Sequence, residues 1–194
     1  MTSSPRFLEI LSSDQIELIH LTALRILEDI GLWLPHQEIL EILHEGGARV
    51  DFNKQMAFIQ AHIVESSIKK FPSRFTWHAR SIKNTLDMNG VNTYFSGPDS
   101  AINVIGLDGS LRLGTPEDGV KVTRLVDGLS NLAVATEGIH PREITGTALD
   151  AWHAMTVYTN SNKAIIGSSR SKASSEVIIR MAKVVAQSCG LPEG

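Results

Sequence analysis

The chain has 194 residues, with 42 % hydrophobic and 20 % charged side chains, which is a globular rather than a disordered composition. A formal net charge of -3 and the lack of any basic stripe exclude an electrostatic footprint for nucleic acid. A single cysteine, Cys189, excludes an intramolecular disulfide and a cysteine zinc cluster.

These features fit a reducing compartment, and the expectation is a cytoplasmic protein. Met1 to Arg6 is not followed by a signal-like apolar run, and no stretch reaches the roughly 18 apolar residues of a membrane span. Cys189 falls late in an apolar helix and reads as an inert thiol.

In chain order, Ser12 and Gln15 fit a capping box. Ile16, Ile19, Ala23, Ile26, Leu27 and Ile30 then recur at helical spacing, with Gly31 as the stop. A second helix starts near Pro35, turns Ile39, Leu40 and Leu43 inward, and ends at Gly46-Gly47. A third runs from about Gln60 to Lys70, before Pro72. Residues 1–72 are thus expected to be a helical extension.

Residues 73–114 read as an antiparallel β region. Phe75 to Ala79 and Thr93 to Ser96 are rich in aromatic and β-branched residues. Asn103 to Leu107 and Ser110 to Arg112 flank Asp108-Gly109, which suits a two-residue hairpin turn.

From Thr115 the pattern becomes α-β-α-β-α. Thr115-Pro116-Glu117-Asp118 is a helix start, and Val122, Leu125, Val126 and Leu129 form the apolar side. Leu132 to Thr136 is an apolar run suited to a strand buried on both faces. A helix from about Glu143 to Thr159, a strand from Lys163 to Gly167 and a helix from about Ser174 to Ser188 follow. Gly190 and Pro192 mark the end of the last one. Such alternation requires a parallel sheet covered by helices. Two parallel strands leave edges and a face uncovered, so residues 115–194 read as the first units of an incomplete barrel.

Several segments occur in an order that resembles the N-terminal part of the trimethylamine methyltransferase family. They are Leu11 to Ile16, Ile26 to Gly31, Leu43 to Asp51 with Gly46-Gly47-Ala48-Arg49-Val50-Asp51, Phe75 to Arg80, and Tyr94-Phe95-Ser96-Gly97-Pro98. Asp108 to Arg112, Thr115 to Asp118 and Thr159 to Lys163 complete the set. The resemblance implies an α/β fold, a partial (β/α)8 TIM-type barrel preceded by an N-terminal helical and antiparallel β extension. It implies methyl transfer from a methylated amine, trimethylamine or a quaternary amine such as glycine betaine, to a corrinoid protein. The corrinoid (cobalamin) then belongs to the partner, and this chain binds no cofactor itself. The family's pyrrolysine position, where present, falls beyond residue 194.

Barrel enzymes keep their working groups at the carboxyl ends of the strands. That rule selects Glu137 and His140 after one strand and Arg170 after the next. Gly97 and Asp99, in the loop after Ser96, are expected at the same mouth. Glu137 is a candidate partner for a methylammonium cation or an ordinary loop acid. His140 is a candidate donor to a substrate carboxylate or a turn residue before Pro141. Arg170 suits a carboxylated substrate such as a betaine, or is a solvated loop arginine. Gly97-Pro98 reads as a backbone device. Ser168-Ser169 would cradle a phosphate or simply cap a helix.

No residue is assigned a catalytic step. His20, His36, His44, His62, His78 and His153 lack metal-ligand spacing, so no metal site is expected. Trp33, Trp77 and Trp152 lie on separate elements and read as core rather than an ammonium cage. The alternatives to the methyltransferase are a non-catalytic fragment acting as an assembly module and a different barrel enzyme with a small anionic substrate. Edge pairing across a two-fold would make a homo-oligomer.

Overall fold

The computed structural model describes residues 10–190, so the N-terminal tail through Arg6 and the Pro192 stop lie outside it. The chain divides between Ser73 and Arg74 into two compact units.

The first unit opens with α1 (Ser13–Arg25). Ser12 Oγ accepts from the Gln15 N–H and the Gln15 side chain accepts from the Ser12 N–H, the expected capping box. The helix continues as one π-helical turn, Ile26–Ile30, and stops at Gly31 with φ +78°. A Cβ at Gly31 would lie 2.7 Å from the Ala57 carbonyl oxygen, so both backbone and space demand glycine. The apolar residues at helical spacing do not form a buried face: Ile16, Ile19, Ile26 and Ile30 are exposed, and Leu24 is the residue that turns in.

Next come β1 (Leu32–Trp33), α2 (Gln37–Glu45), β2 (Arg49–Asp51), β3 (Met56–Phe58) and α3 (Ala61–Ile68). The strands form an antiparallel sheet in the order β1-β3-β2 around buried Leu40, Ala48 and Ala57. The extension is therefore not purely helical. Strands of two or three residues carry too little alternation to stand out in a sequence.

The second unit opens with the antiparallel pair β4 (Phe75–Trp77) and β5 (Leu86–Met88). β5 was not expected, and Arg74 ties it down with two 2.7 Å bonds from its guanidinium to Asp87. β6 (Asn103–Ile105) and β7 (Leu111–Leu113) form the expected hairpin. Its loop differs from expectation. The Gly106 N–H donates to the Ser110 carbonyl, which leaves a three-residue loop with positive φ at Gly109 and not at Asp108. Asp108 instead accepts from the Ser110 N–H and hydroxyl.

Then follow α4 (Pro116–Gly128), β8 (Val134–Ala135), α5 (Gly146–Asn160), β9 (Ala164–Ile165) and α6 (Lys172–Cys189). The capping box at Thr115 and Asp118 closes as the sequence demands, and Arg112 adds bonds of 2.6 and 2.9 Å to the same carboxylate. These donors, Arg112 first, hold Asp118 far below the usual carboxylate range despite its burial. Ser171, rather than Ser168 or Ser169, caps α6 by accepting from the Ser174 N–H. Gly190, with φ +64°, ends that helix.

β8 and β9 pair in parallel, and Val134, Ala135 and Ala164 are buried, as a strand covered on both faces should be. Thr93 to Ser96 is no regular strand. Ser96 nevertheless bridges Val134 in parallel and Ala101 bridges Ile139, so this segment runs beside β8. The Gly97 N–H donates to Val134, the Ala101 N–H to Gly138, and the His140 N–H back to Ala101. Three neighbouring chain segments thus run the same way. Two small cores flank them: Ala79, Leu86, Val134 and Ala164 on one side, and Val126, Ala135 and Val157 on the other.

Candidate functional site

A cleft of about 360 Å³ opens at the carboxyl ends of β8 and β9. Ala154 and Val157 of α5, Ile165 and Ile166 of the β9 segment, and Ile178 and Ile179 of α6 form its apolar walls. Glu137, Asp150 and His153 supply its buried polar groups, while Ser168 and Ser169 stand in the loop after β9.

Glu137 lies two residues past β8, where the chain enters the turn at Gly138. Gly138 has φ +69°, and a Cβ there would collide with the Val122 side chain, so only glycine lets the chain turn close over α4. The Glu137 residue is 3 % exposed. Burial pushes its carboxyl up to about 6, and the nearby Asp99 carboxylate adds to that, while Arg170 pulls the other way. Asp99, itself exposed, reaches this place because residues 96–101 lie along β8.

His153 is about two turns into α5, on its buried side, and 4 % exposed. Its Nδ1 lies 3.4 Å from Glu137 Oε1. That approach lacks hydrogen-bond alignment, and neither ring nitrogen has a hydrogen-bond partner among the described residues. Burial lowers its pKa to about 4, and His140 and Arg170 press in the same direction. Nearby Asp150 and the Ile139 carbonyl oppose the shift without reversing it. The ring is therefore a neutral imidazole at pH 7. His140 packs against it edge to face at 5.7 Å, and Trp152 lies at 5.2 Å on another side.

Asp150, three residues before His153, is completely buried. It accepts the Arg170 backbone N–H at 3.0 Å and the Arg170 guanidinium at 2.7 Å. Burial pushes this carboxyl up, but the Arg170 backbone N–H, the Ser174 side chain and the Arg170 charge outweigh it and leave the pKa lowered. One helix thus contributes two polar groups at helical spacing, one paired and one bare.

Of the residues singled out from sequence, Glu137, Asp99, His140 and Arg170 come together around this cleft. Gly97 stands behind it. Its buried backbone crosses α4, where a Cβ would lie 2.7 Å from Val126 Cγ2. Thr136 Oγ1 closes the same crossing by donating to the Pro98 carbonyl. His153 and Asp150 were missed, and the available signal was the pair of polar residues at i and i+3 on an otherwise apolar helix face. Trp77 packs into the Ala79 core, Trp152 stacks under Gly119, and Trp33 belongs to the first unit. Among the described residues, no group of histidine, cysteine, aspartate or glutamate is arranged to hold a metal ion. No helix among them is long and apolar enough to cross a membrane.

An acid and a neutral imidazole are thus buried beyond the carboxyl ends of parallel strands in an α/β protein, beside an aliphatic cleft, where proteins of this class commonly place their sites. The family model for trimethylamine methyltransferase (MTTB) matches residues 1–189. The chain belongs to that family. It is similar to a trimethylamine methyltransferase of Desulfitobacterium hafniense, 27 % identical over 176 residues, which cover 90 % of this chain and 36 % of that protein. A glycine betaine methyltransferase from another strain of the species is 28 % identical over 91 % of this chain and 36 % of its own length. A trimethylamine methyltransferase of Methanosarcina barkeri is 24 % identical over 80 % of this chain and 32 % of its own. The chain thus spans about a third of the length of these relatives.

Proposed function

We propose that this chain carries the amine-binding side of a methyltransferase that moves a methyl group from a methylated amine, trimethylamine or a quaternary amine such as glycine betaine, to a corrinoid protein. The carrying observation is Glu137, a buried carboxylate in an aliphatic cleft at the carboxyl end of a parallel strand, in a chain of this family. A methylammonium ion is apolar on its surface and charged at its centre. Aliphatic walls suit its methyl groups, and a carboxylate in a medium of low polarity attracts its charge far more strongly than one in water. In the transfer the carbon–nitrogen bond breaks and the nitrogen keeps the electron pair. The methyl group passes to the reduced corrinoid of the partner, which supplies the nucleophile. The residues of this chain bind and orient the amine and keep water from its charge.

The finer reading of the fold is that residues 94–190 form the opening units of a (β/α)8 barrel. The parallel run of residues 96–101, β8 and β9, with helices between β8 and β9 and after β9, supports it.

Two assays test this function. A barrel built on this segment, mixed with a reduced corrinoid protein, consumes the cobalt(I) absorbance in proportion to added amine, and Glu137→Ala loses most of the rate. Amine-independent consumption, or full activity in that variant, contradicts the reading. The 194-residue chain alone is expected to bind amine without turnover above a no-protein control, since catalysis needs groups held rigidly from every side. Its amine affinity falls as pH drops through about 6, where Glu137 takes up a proton. An affinity that stays flat from pH 5 to 8 would remove Glu137 from the binding step.

A further inference from the structure

We propose that the outward face of the β6–β7 hairpin, formed by Ile105, Leu107, Leu111 and Leu113, packs against the same face of a second copy of this chain about a two-fold axis. None of these residues lines the cleft, and the assignment does not depend on the function proposed above.

In an antiparallel pair, residues opposite each other share a face, and the faces alternate along each strand. The register pairs Ile105 with Leu111, Asn103 with Leu113 and Val104 with Arg112. Val104 and Arg112 make the inward face. A Cβ added at Gly114 would fall 2.5 Å from Ile139 Cγ2 and 3.6 Å from Val104 Cγ2, so the half-buried Val104 turns toward the body of this unit. Arg112 on the same face reaches the Asp118 carboxylate. The other face is aliphatic and open. Ile105 is 73 %, Leu111 69 % and Leu113 47 % exposed, and Leu107 stands fully exposed at the tip. A sheet with one covered and one wet face normally puts polar residues on the wet one. Here both faces are apolar, the pattern of strands covered on both sides, and a hairpin of two three-residue strands is marginal without such cover.

Charge and symmetry point to a copy of the chain as that cover. Neither charged residue of the hairpin belongs to the open face. Asp108 is folded into the loop by the Ser110 N–H and hydroxyl, and Arg112 is paired with Asp118. A partner with an acidic or basic surface finds no counterpart here. An identical aliphatic face does, and a two-fold contact requires that self-complementarity. The formal net charge of -3 is too small to hold two copies apart. A standard interface buries about 800 Å² on each partner around an apolar centre. Four large aliphatic side chains, from half to wholly exposed, supply that centre from each copy.

Size-exclusion chromatography with light scattering on the full 194-residue chain tests the assignment. At about 100 µM the parent should run as a dimer, at twice 21.2 kDa. Leu111→Lys and Leu111→Glu should each run as monomers, the dimer weakened about a hundredfold or more by like charges at the interface. An equimolar mixture of the two should regain the dimer, which misfolded variants could not do. Leu107→Lys, at the open tip where the fold asks nothing of the side chain, should also weaken it. Val184→Lys, at a similarly exposed apolar position on α6, should not. A parent that stays monomeric overturns the proposal and gives the face to a different protein. A dimer that survives both Leu111→Lys and Leu107→Lys, or one lost as readily in Val184→Lys, also overturns it. So does a mixture that stays monomeric when each Leu111 variant alone melts cooperatively.

Discussion

The two ends of the β8–β9 pair differ in how one buried polar side chain at each is partnered. At the amino end of β9, Lys163 is buried, and its ammonium donates at 2.6 Å to the Val126 and Leu129 carbonyls, where α4 runs out of its own hydrogen bonds. Asp127 completes the arrangement by accepting from the Ser161 hydroxyl and the Asn162 N–H. Burial lowers the Lys163 pKa and Asp127 resists that change. At the carboxyl end, Glu137 and His153 are as deeply buried, yet His153 has no hydrogen-bond partner among the described residues. Lys163 has its partners within the protein, and His153 does not. Burial alone does not distinguish the two; the presence or absence of partners does.

Substitution should separate the ends. Lys163→Met is expected to cost about 3 kcal/mol, because it removes two bonds from a charged donor to helix-end carbonyls that then keep one backbone donor each. Chemical denaturation reads this as a lower midpoint, and a loss below about 1 kcal/mol would mean that water replaces the ammonium. Gly97→Ala comes next, at about 2 kcal/mol, since its new methyl group must push Val126 aside. The same denaturation series checks it, and an unchanged midpoint would show that the crossing has slack.

At the carboxyl end, the sign of the pH dependence is more informative than its size. Glu137 has a folded pKa of about 6 against an ordinary 4.5, so it contributes stability below pH 4.5 that disappears as pH rises through 6. His153 has a folded pKa of about 4 against an ordinary 6.5. Its contribution is full above pH 6.5 and is lost as pH falls through 4. The two slopes oppose each other between about pH 4.5 and 6. Glu137→Gln should therefore leave a protein that gains stability as pH rises through this range, and His153→Gln one that loses it. Thermal melts across pH 4 to 7 provide the comparison, and parallel curves for the two variants would contradict the assigned burial effects. The smallest effect is expected from His153→Phe at pH 7.5. Replacing a bare buried imidazole by an apolar ring should shift stability by less than about 1 kcal/mol, in either direction. A loss as large as that of Lys163→Met would make His153 structural.

Sequence revealed these regions unequally. The α4 start was legible because Thr115, Pro116 and Asp118 each have a local job in capping one helix. The parallel pairing of β8 and β9 followed from the alternation of elements, which leaves no short antiparallel return. Glu137 and Asp99 were selected by their place after strand-like segments. β1 to β3 were not legible, since pairs and triplets of residues carry no period. Asp150 and His153 lay on a helix whose apolar neighbours made them look like core. That Arg170 is held by Asp150 depends on how the loop after β9 folds back over α5, which no local pattern records.

The most direct test of the central claim is the side-chain carboxyl carbon spectrum of Glu137 in chain labelled at its glutamates, recorded near pH 7.5 as trimethylammonium is added. The Glu137 carboxyl resonance should shift saturably with the amine, and Glu137→Gln should weaken amine binding. A Glu137 signal that stays fixed while the amine binds, as judged by calorimetry on the same sample, would place the ligand elsewhere and contradict the claim.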